Sequence, residues 1–134
     1  MGKRNTGRKL AMQLLYQADI RKETINSILD EFTHNTNYLE PTKEWSCYLA
    51  GQTFAHKKEL DQIIQKYAID WSLNRMNVLD KSLLRLAIFE IQYTDTPPKV
   101  VVDEIVGIAK RYSAEESPKF INGLLGEFLK KEIL

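Results

Sequence analysis

The chain has 134 residues, 43% hydrophobic and 28% charged, with a formal net charge of +1. That length and balance describe one globular domain and exclude a disordered or fibrous chain. No apolar run reaches the roughly 18 residues that cross a bilayer, the start lacks a signal peptide's apolar core, and a lone cysteine, Cys47, excludes an internal disulfide, so a cytoplasmic protein without membrane contact is expected.

The first helix is predicted from about Thr6 to Lys22, capped by Thr6 or Asn5, with Leu10, Leu14 and Ala18 on one stripe and Ala11 and Leu15 beside it. A second fits Glu23 to about His34, with Ile25, Ile28, Leu29 and Phe32 inward. The polar stretch THNTNYLEP is a loop. One long third helix is predicted from Thr42 to about Tyr67, with Trp45, Leu49, Thr53, His56 and Leu60 along one side. AIDWSLNRMN breaks the pattern around Trp71 and marks the boundary between two halves, about 1–68 and 69–134. Asn77 caps the next helix, whose wide stripe from Leu79 to Ile91 makes it the most buried of the set. It stops before TDTPPK, where Pro97 and Pro98 cannot continue it. A helix from about Val100 to Tyr112 and a last one from about Ser117, with Pro118 at its start, complete the chain. Ser113 and Glu116 are spaced as a capping box, and Gly123 and Gly126 are expected to permit close helix packing. No lasting period-two pattern occurs, so the fold class is all-α, with about six or seven helices in two small helical subdomains.

The charge is unevenly placed. Residues 1–22 hold Lys3, Arg4, Arg8, Lys9, Arg21 and Lys22 against Asp19 alone, a local charge of +5 that leaves −4 on the remainder. Lys3, Arg4, Arg8 and Lys9 crowd a helix start, where the macrodipole is already positive. Cations there make sense when an anion is the missing partner, and a phosphate suits free backbone N–H groups, dipole and side chains together. In SPKFINGLLG, Lys119 and Phe120 fall in the first turn of the last helix, where a lysine meets a phosphate and a phenylalanine stacks on an unpaired base. On spacing alone, however, Phe120 heads the apolar stripe and belongs to the core. Lys9, Gln13 and Tyr16 form a polar stripe on the first helix, either a solvated face or the rim of a contact surface.

Catalytic signals are thin. His34 lies in a polar loop, His56 stands beside Lys57 and Lys58, and Asp103 and Glu104 diverge on a helix. No metal-ligand spacing, Gly-rich phosphate loop or nucleophile elbow occurs, so no catalytic residue, metal site or cofactor is expected.

Four stretches in order, RKLAMQLLYQAD, LDKSLLRLAIFEI, PPKVVVDEIVGIAK and KFINGLL, resemble the NusB family of bacterial transcription antitermination factors over nearly the whole chain, least well across 23–75. The resemblance implies a non-enzymatic protein of two small helical subdomains. It implies binding to boxA-type single-stranded RNA together with NusE, a small-subunit ribosomal protein. The pair then joins an RNA polymerase elongation complex and permits read-through, including of ribosomal RNA operons. Some members of the family also form a homodimer when free. The family's arginine-rich start maps onto Lys3, Arg4, Arg8 and Lys9; here Asn5 and Thr6 interrupt it, which predicts a weaker grip that leans on the protein partner. Its Lys-Phe-x-Asn-Gly stretch maps onto Lys119, Phe120, Asn122 and Gly123, with Glu116 and Ser117 just before, and turns Phe120 from core towards a base-contacting ring. NusE contact is expected at Gln13 and Tyr16 and around Asp80, Lys81 and Arg85. Two rivals differ in class: a purely protein-binding helical adaptor without sequence-specific RNA binding, and a helical remnant of an RNA methyltransferase, for which no cofactor-binding motif is present.

Overall fold

A computed structural model describes residues 2–69 and 72–133. The residues on which the sequence places the inter-half break, Asp70 and Trp71, lie outside those described. Seven α-helices follow one another: α1 (Lys3–Arg21), α2 (Ile25–Asn35), α3 (Glu40–Ala55), α4 (Lys57–Tyr67), α5 (Val78–Tyr93), α6 (Pro98–Tyr112) and α7 (Ser117–Phe128). A 3-10 turn at Leu73–Arg75 precedes α5, and a π-helical turn at Leu129–Ile133 follows α7. Among the described residues there is no strand, and no helix is long and apolar enough to cross a membrane.

Local chemistry explains most boundaries. Thr24 caps α2 by accepting from the Ser27 N–H at 3.1 Å, and Asn77 caps α5 by accepting from the Asp80 N–H at 2.8 Å. Proline stands in the first turn of α3, α6 and α7, where a missing N–H costs nothing. Pro98 therefore opens α6 two residues before the expected start. The first helix also begins early. Gly2 is its N-cap and the Thr6 N–H already bonds the Gly2 carbonyl at 2.9 Å, so Asn5 and Thr6 are helical residues and cap nothing.

The single long third helix is corrected to two. The chain turns at His56, with no Pro or Gly in the vicinity to announce it. The cause is tertiary: the His56 ring sits 5.5 Å from Phe89 and 4.7 Å from Tyr93 of α5, centroid to centroid, while its Nδ1 lies 2.8 Å from the Gln52 carbonyl oxygen. The bend turns α4 onto α5 and α7, so α4 packs with the helices of the second half although it precedes the expected boundary.

α1 packs most extensively on α3, then on α5, and touches α2 and α6 as well. α5 is buried along almost its whole length, as its wide stripe predicts. One apolar cluster runs from Ala11 and Leu14 through Leu49, Leu84 and Ile88 to Ile105, Leu125 and Phe128 without a break. Each large aliphatic side chain buried there contributes about 1.5–3 kcal/mol. Close packing falls at a glycine different from those expected. A Cβ on Gly123 or Gly126 would meet nothing, whereas one on Gly7 would overlap the Trp45 indole, so it is Gly7 that lets α3 approach α1.

Candidate nucleic-acid interface

At its N-terminus α1 has no side-chain cap and no acidic residue in its first turn. Its first N–H groups and the dipole's positive end therefore face outward, flanked by the exposed side chains of Lys3 and Arg4. Arg4 is already organised. Its guanidinium lies 3.9 Å above the Trp45 ring, and the Trp45 Nε1–H donates to the Arg4 carbonyl at 3.1 Å. Lys9 leans the other way, its Nζ 6.0 Å from the ring centroid of Tyr112 at the end of α6.

Arg8 overturns its expectation. It is 3% exposed, and its Nε and Nη2 donate to the two carboxylate oxygens of Glu90 at 2.7 and 2.5 Å. A buried bidentate pair satisfies the charge internally, so Arg8 is a core residue and does not project towards a phosphate. Glu90 gave no sequence signal for this, standing within the apolar stripe of a helix 82 positions away.

The second cluster gathers where α6 turns into α7. The expected capping box does not form. Instead the Ser113 hydroxyl donates to Asp80 Oδ1 at 2.6 Å and the Ser117 hydroxyl to Asp80 Oδ2 at 2.9 Å, tying this corner to the start of α5. Ser117 is thereby buried and points inward rather than to a ligand. Glu116 and Lys119 are exposed. Phe120 is half-buried: its ring packs against the core yet lines two clefts, of about 810 and 260 Å³. Both readings of Phe120 thus hold in part. Asn122, two positions on, faces away and lines neither cleft. Lys3 and Arg4 sit by the C-terminal end of α5 and Phe120 by its N-terminal end, so the two clusters do not form one compact pocket; Lys9 over Tyr112 is the link between them.

Of the expected partner-binding residues, Gln13 and Tyr16 are exposed on α1 and Lys81 is half-exposed. Asp80 is buried by the two serines. Arg85 is 5% exposed, bonded twice to Asp61 at 2.6 and 3.0 Å and once to Asp19 at 3.4 Å. Asp80 and Arg85 are therefore corrected to internal tethers, because every charged atom they could offer already has a partner within the fold.

The sequence passed over an aromatic surface beside α1. Trp45 stacks on Tyr48 at 5.9 Å, and Phe89 on Tyr93 at 5.1 Å. Tyr48 and Tyr93 are close to half exposed. The Tyr93 hydroxyl donates to Glu59 at 2.8 Å, a bond that, with burial and the nearby negative charge, raises its pKa above the ordinary phenol value. Bulky aromatics three apart on a helix read as core, which concealed this surface. Among the described residues no group of three or more His, Cys, Asp or Glu side chains is placed to hold a metal ion.

The NusB family model matches residues 5–130. The transcription antitermination protein NusB of Streptomyces coelicolor is 38% identical over 130 residues, spanning 94% of this chain and 92% of that protein. The namesake from a Thermoanaerobacter species is 39% identical over 129 residues, spanning 96% and 91%. Among solved structures, T. maritima NusB superposes with a TM-score of 0.87 at 34% identity, covering 98% of this chain and 92% of its own. A crystal structure of the antitermination factors NusB and NusE in complex with dsRNA gives 0.85 at 28% identity, covering 97% and 98%. An uncapped cationic helix start, a half-exposed phenylalanine at the α6–α7 corner and full-length likeness to these proteins converge: the chain belongs to the NusB family of transcription antitermination proteins.

Proposed function

We propose that this protein is a non-enzymatic adaptor that binds boxA-type single-stranded RNA together with NusE. It then joins the RNA polymerase elongation complex in the cytoplasm and permits read-through, including of ribosomal RNA operons. The observation that carries the reading is Phe120, an aromatic ring kept partly in solvent between two clefts, with Lys119 beside it. Such a ring has a face to offer an unpaired base. The likeness to a structure in which NusB, NusE and RNA occur together supports the partners. The RNA there is double-stranded, so the single-stranded preference rests on the aromatic chemistry of this chain.

Lys3, Arg4, Lys9 and Lys119 hold phosphates in this reading, with Phe120 as the stacking ring and Glu116 and Asn122 at its margin. Gln13, Tyr16 and Lys81 form the NusE-facing surface. Phe120→Ala is expected to lower RNA affinity by about 1–3 kcal/mol. The test measures binding to boxA-like, scrambled and duplex RNA, with and without NusE. A variant that loses thermal stability and affinity in equal measure marks Phe120 as core only. Equal affinity for boxA-like and scrambled RNA favours the purely protein-binding adaptor.

A further inference from the structure

A cleft of about 780 Å³ opens beside the first turn of α1, at the opposite end of α5 from Phe120. Arg4, Trp45, Tyr48 and Tyr93 line it together with Asp95 and Glu104. An adjoining cleft of about 520 Å³ shares Arg4, Trp45 and Tyr48 and adds Lys3. The shared wall is a layered stack of the Arg4 guanidinium, the Trp45 indole and the Tyr48 ring. Half of the Tyr48 and Tyr93 surfaces stays in water, although both rings belong to an aromatic group reaching Phe89 in the core.

Two carboxylates line this space without a partner. Asp95 and Glu104 have no ion-pair or hydrogen-bond partner for their carboxylates among the described residues. Arg8 also borders the cleft, but Glu90 neutralises it.

We propose that this cleft takes an unpaired RNA base carrying an exocyclic amine, stacked on Tyr48 and Tyr93 with its phosphate against Lys3 and Arg4. The inference rests on the RNA-binding reading above and extends it to a second site. Base stacking on tyrosine or guanidinium planes needs exposed rings beside cations, and Tyr48 and Tyr93 beside Arg4 supply both. The carboxylates, which would repel phosphate, suit the donor edge of cytosine, adenine or guanine. Uracil offers no amine. The α5 helix sets the two base sites roughly 24 Å apart at ~1.5 Å per residue, so one strand several nucleotides long can engage both.

The experiment compares wild type with Tyr48→Ala, Tyr48→Phe, Glu104→Gln and Phe120→Ala, using oligo(C) and oligo(U) long enough to span both sites. Tyr48 is 44% exposed, so its truncation leaves the core in place. Tyr48→Ala is expected to bind oligo(C) about 5- to 150-fold more weakly, the range of a lost base stack, while Tyr48→Phe binds like wild type. Glu104→Gln should shrink the preference for oligo(C) over oligo(U), a change that lost folding alone would not produce. If Tyr48→Ala matches wild type while Phe120→Ala is weakened, this inference is overturned and the proposed function stands. If wild type binds neither RNA, this inference falls, while binding to boxA-like RNA decides the proposed function separately.

Discussion

The buried Arg8–Glu90 pair gives the sharpest test of how this fold uses charge. Replacing Glu90 by leucine leaves a guanidinium that is 3% exposed with its Nε and Nη2 donors unmatched. An abandoned donor costs about 1–3 kcal/mol and an uncompensated buried charge about 3–5 in all. A domain of this size has roughly 5–15 kcal/mol of stability to lose. The melting temperature should therefore fall by roughly 10–20 °C. The double variant Arg8→Met/Glu90→Leu removes both charges and should return to within about 1 kcal/mol of wild type or exceed it. Thermal and urea unfolding of the wild type, the single variant and the double variant measure this directly. A single variant that loses less than about 1 kcal/mol would refute the reasoning, since it would mean that water reaches the pair. The double variant also tests the functional correction. Its RNA affinity should keep the wild-type salt dependence, and a slope reduced by about 0.7 would return Arg8 to the phosphate-binding set.

Other outcomes follow from the same geometry. Lys3→Ala should lower the single-strand RNA salt slope by about 0.7, measured by titration at several ionic strengths. Gly7→Ala forces the Trp45 indole aside and should cost about 1–3 kcal/mol with altered tryptophan fluorescence. Gly126→Ala, with open space around it on a helix, should instead gain about 0.5–1 kcal/mol in the same melts. Glu59→Gln should lower the Tyr93 pKa in a tyrosinate absorbance titration. Because folding raises that pKa, its small stabilisation is present below the ordinary phenol value and fades as pH rises through the raised one. An unchanged titration would mean that the Tyr93–Glu59 bond does not persist in solution.

The sequence carried the helices well wherever local chemistry decides. Asn77 announced α5, Pro118 announced α7, and the stripe from Leu79 to Ile91 marked the central helix, with Leu79 only partly buried. It failed where a distant residue decides. The bend at His56 comes from rings on α5, and no signal in its own neighbourhood encodes it. Arg8 looked like Lys3 and Lys9 because only Glu90 distinguishes it. Asp80 and Arg85 looked like surface charges because Ser113, Ser117, Asp61 and Asp19 are far off in the chain. Lys3, Arg4 and Lys119 are exposed, as cations outside the apolar stripes suggest, whereas Phe120 is divided between core and cleft in a way spacing alone does not encode. The Tyr48–Tyr93 surface was not readable, since its halves lie on α3 and α5 and meet only after folding.

One consequence concerns α1, which packs on helices of both halves. Its first turn holds the candidate phosphate contacts and its middle holds the core, so ligand binding and global unfolding are thermodynamically linked through a single rod. A ligand at 100 times its dissociation constant adds about 2.7 kcal/mol to the native state. Here that increment should be reported by every amide of the core, including those on α7, and not by the N-terminal helices alone. Hydrogen exchange slowed evenly across the molecule on adding RNA would be the signature of such coupling.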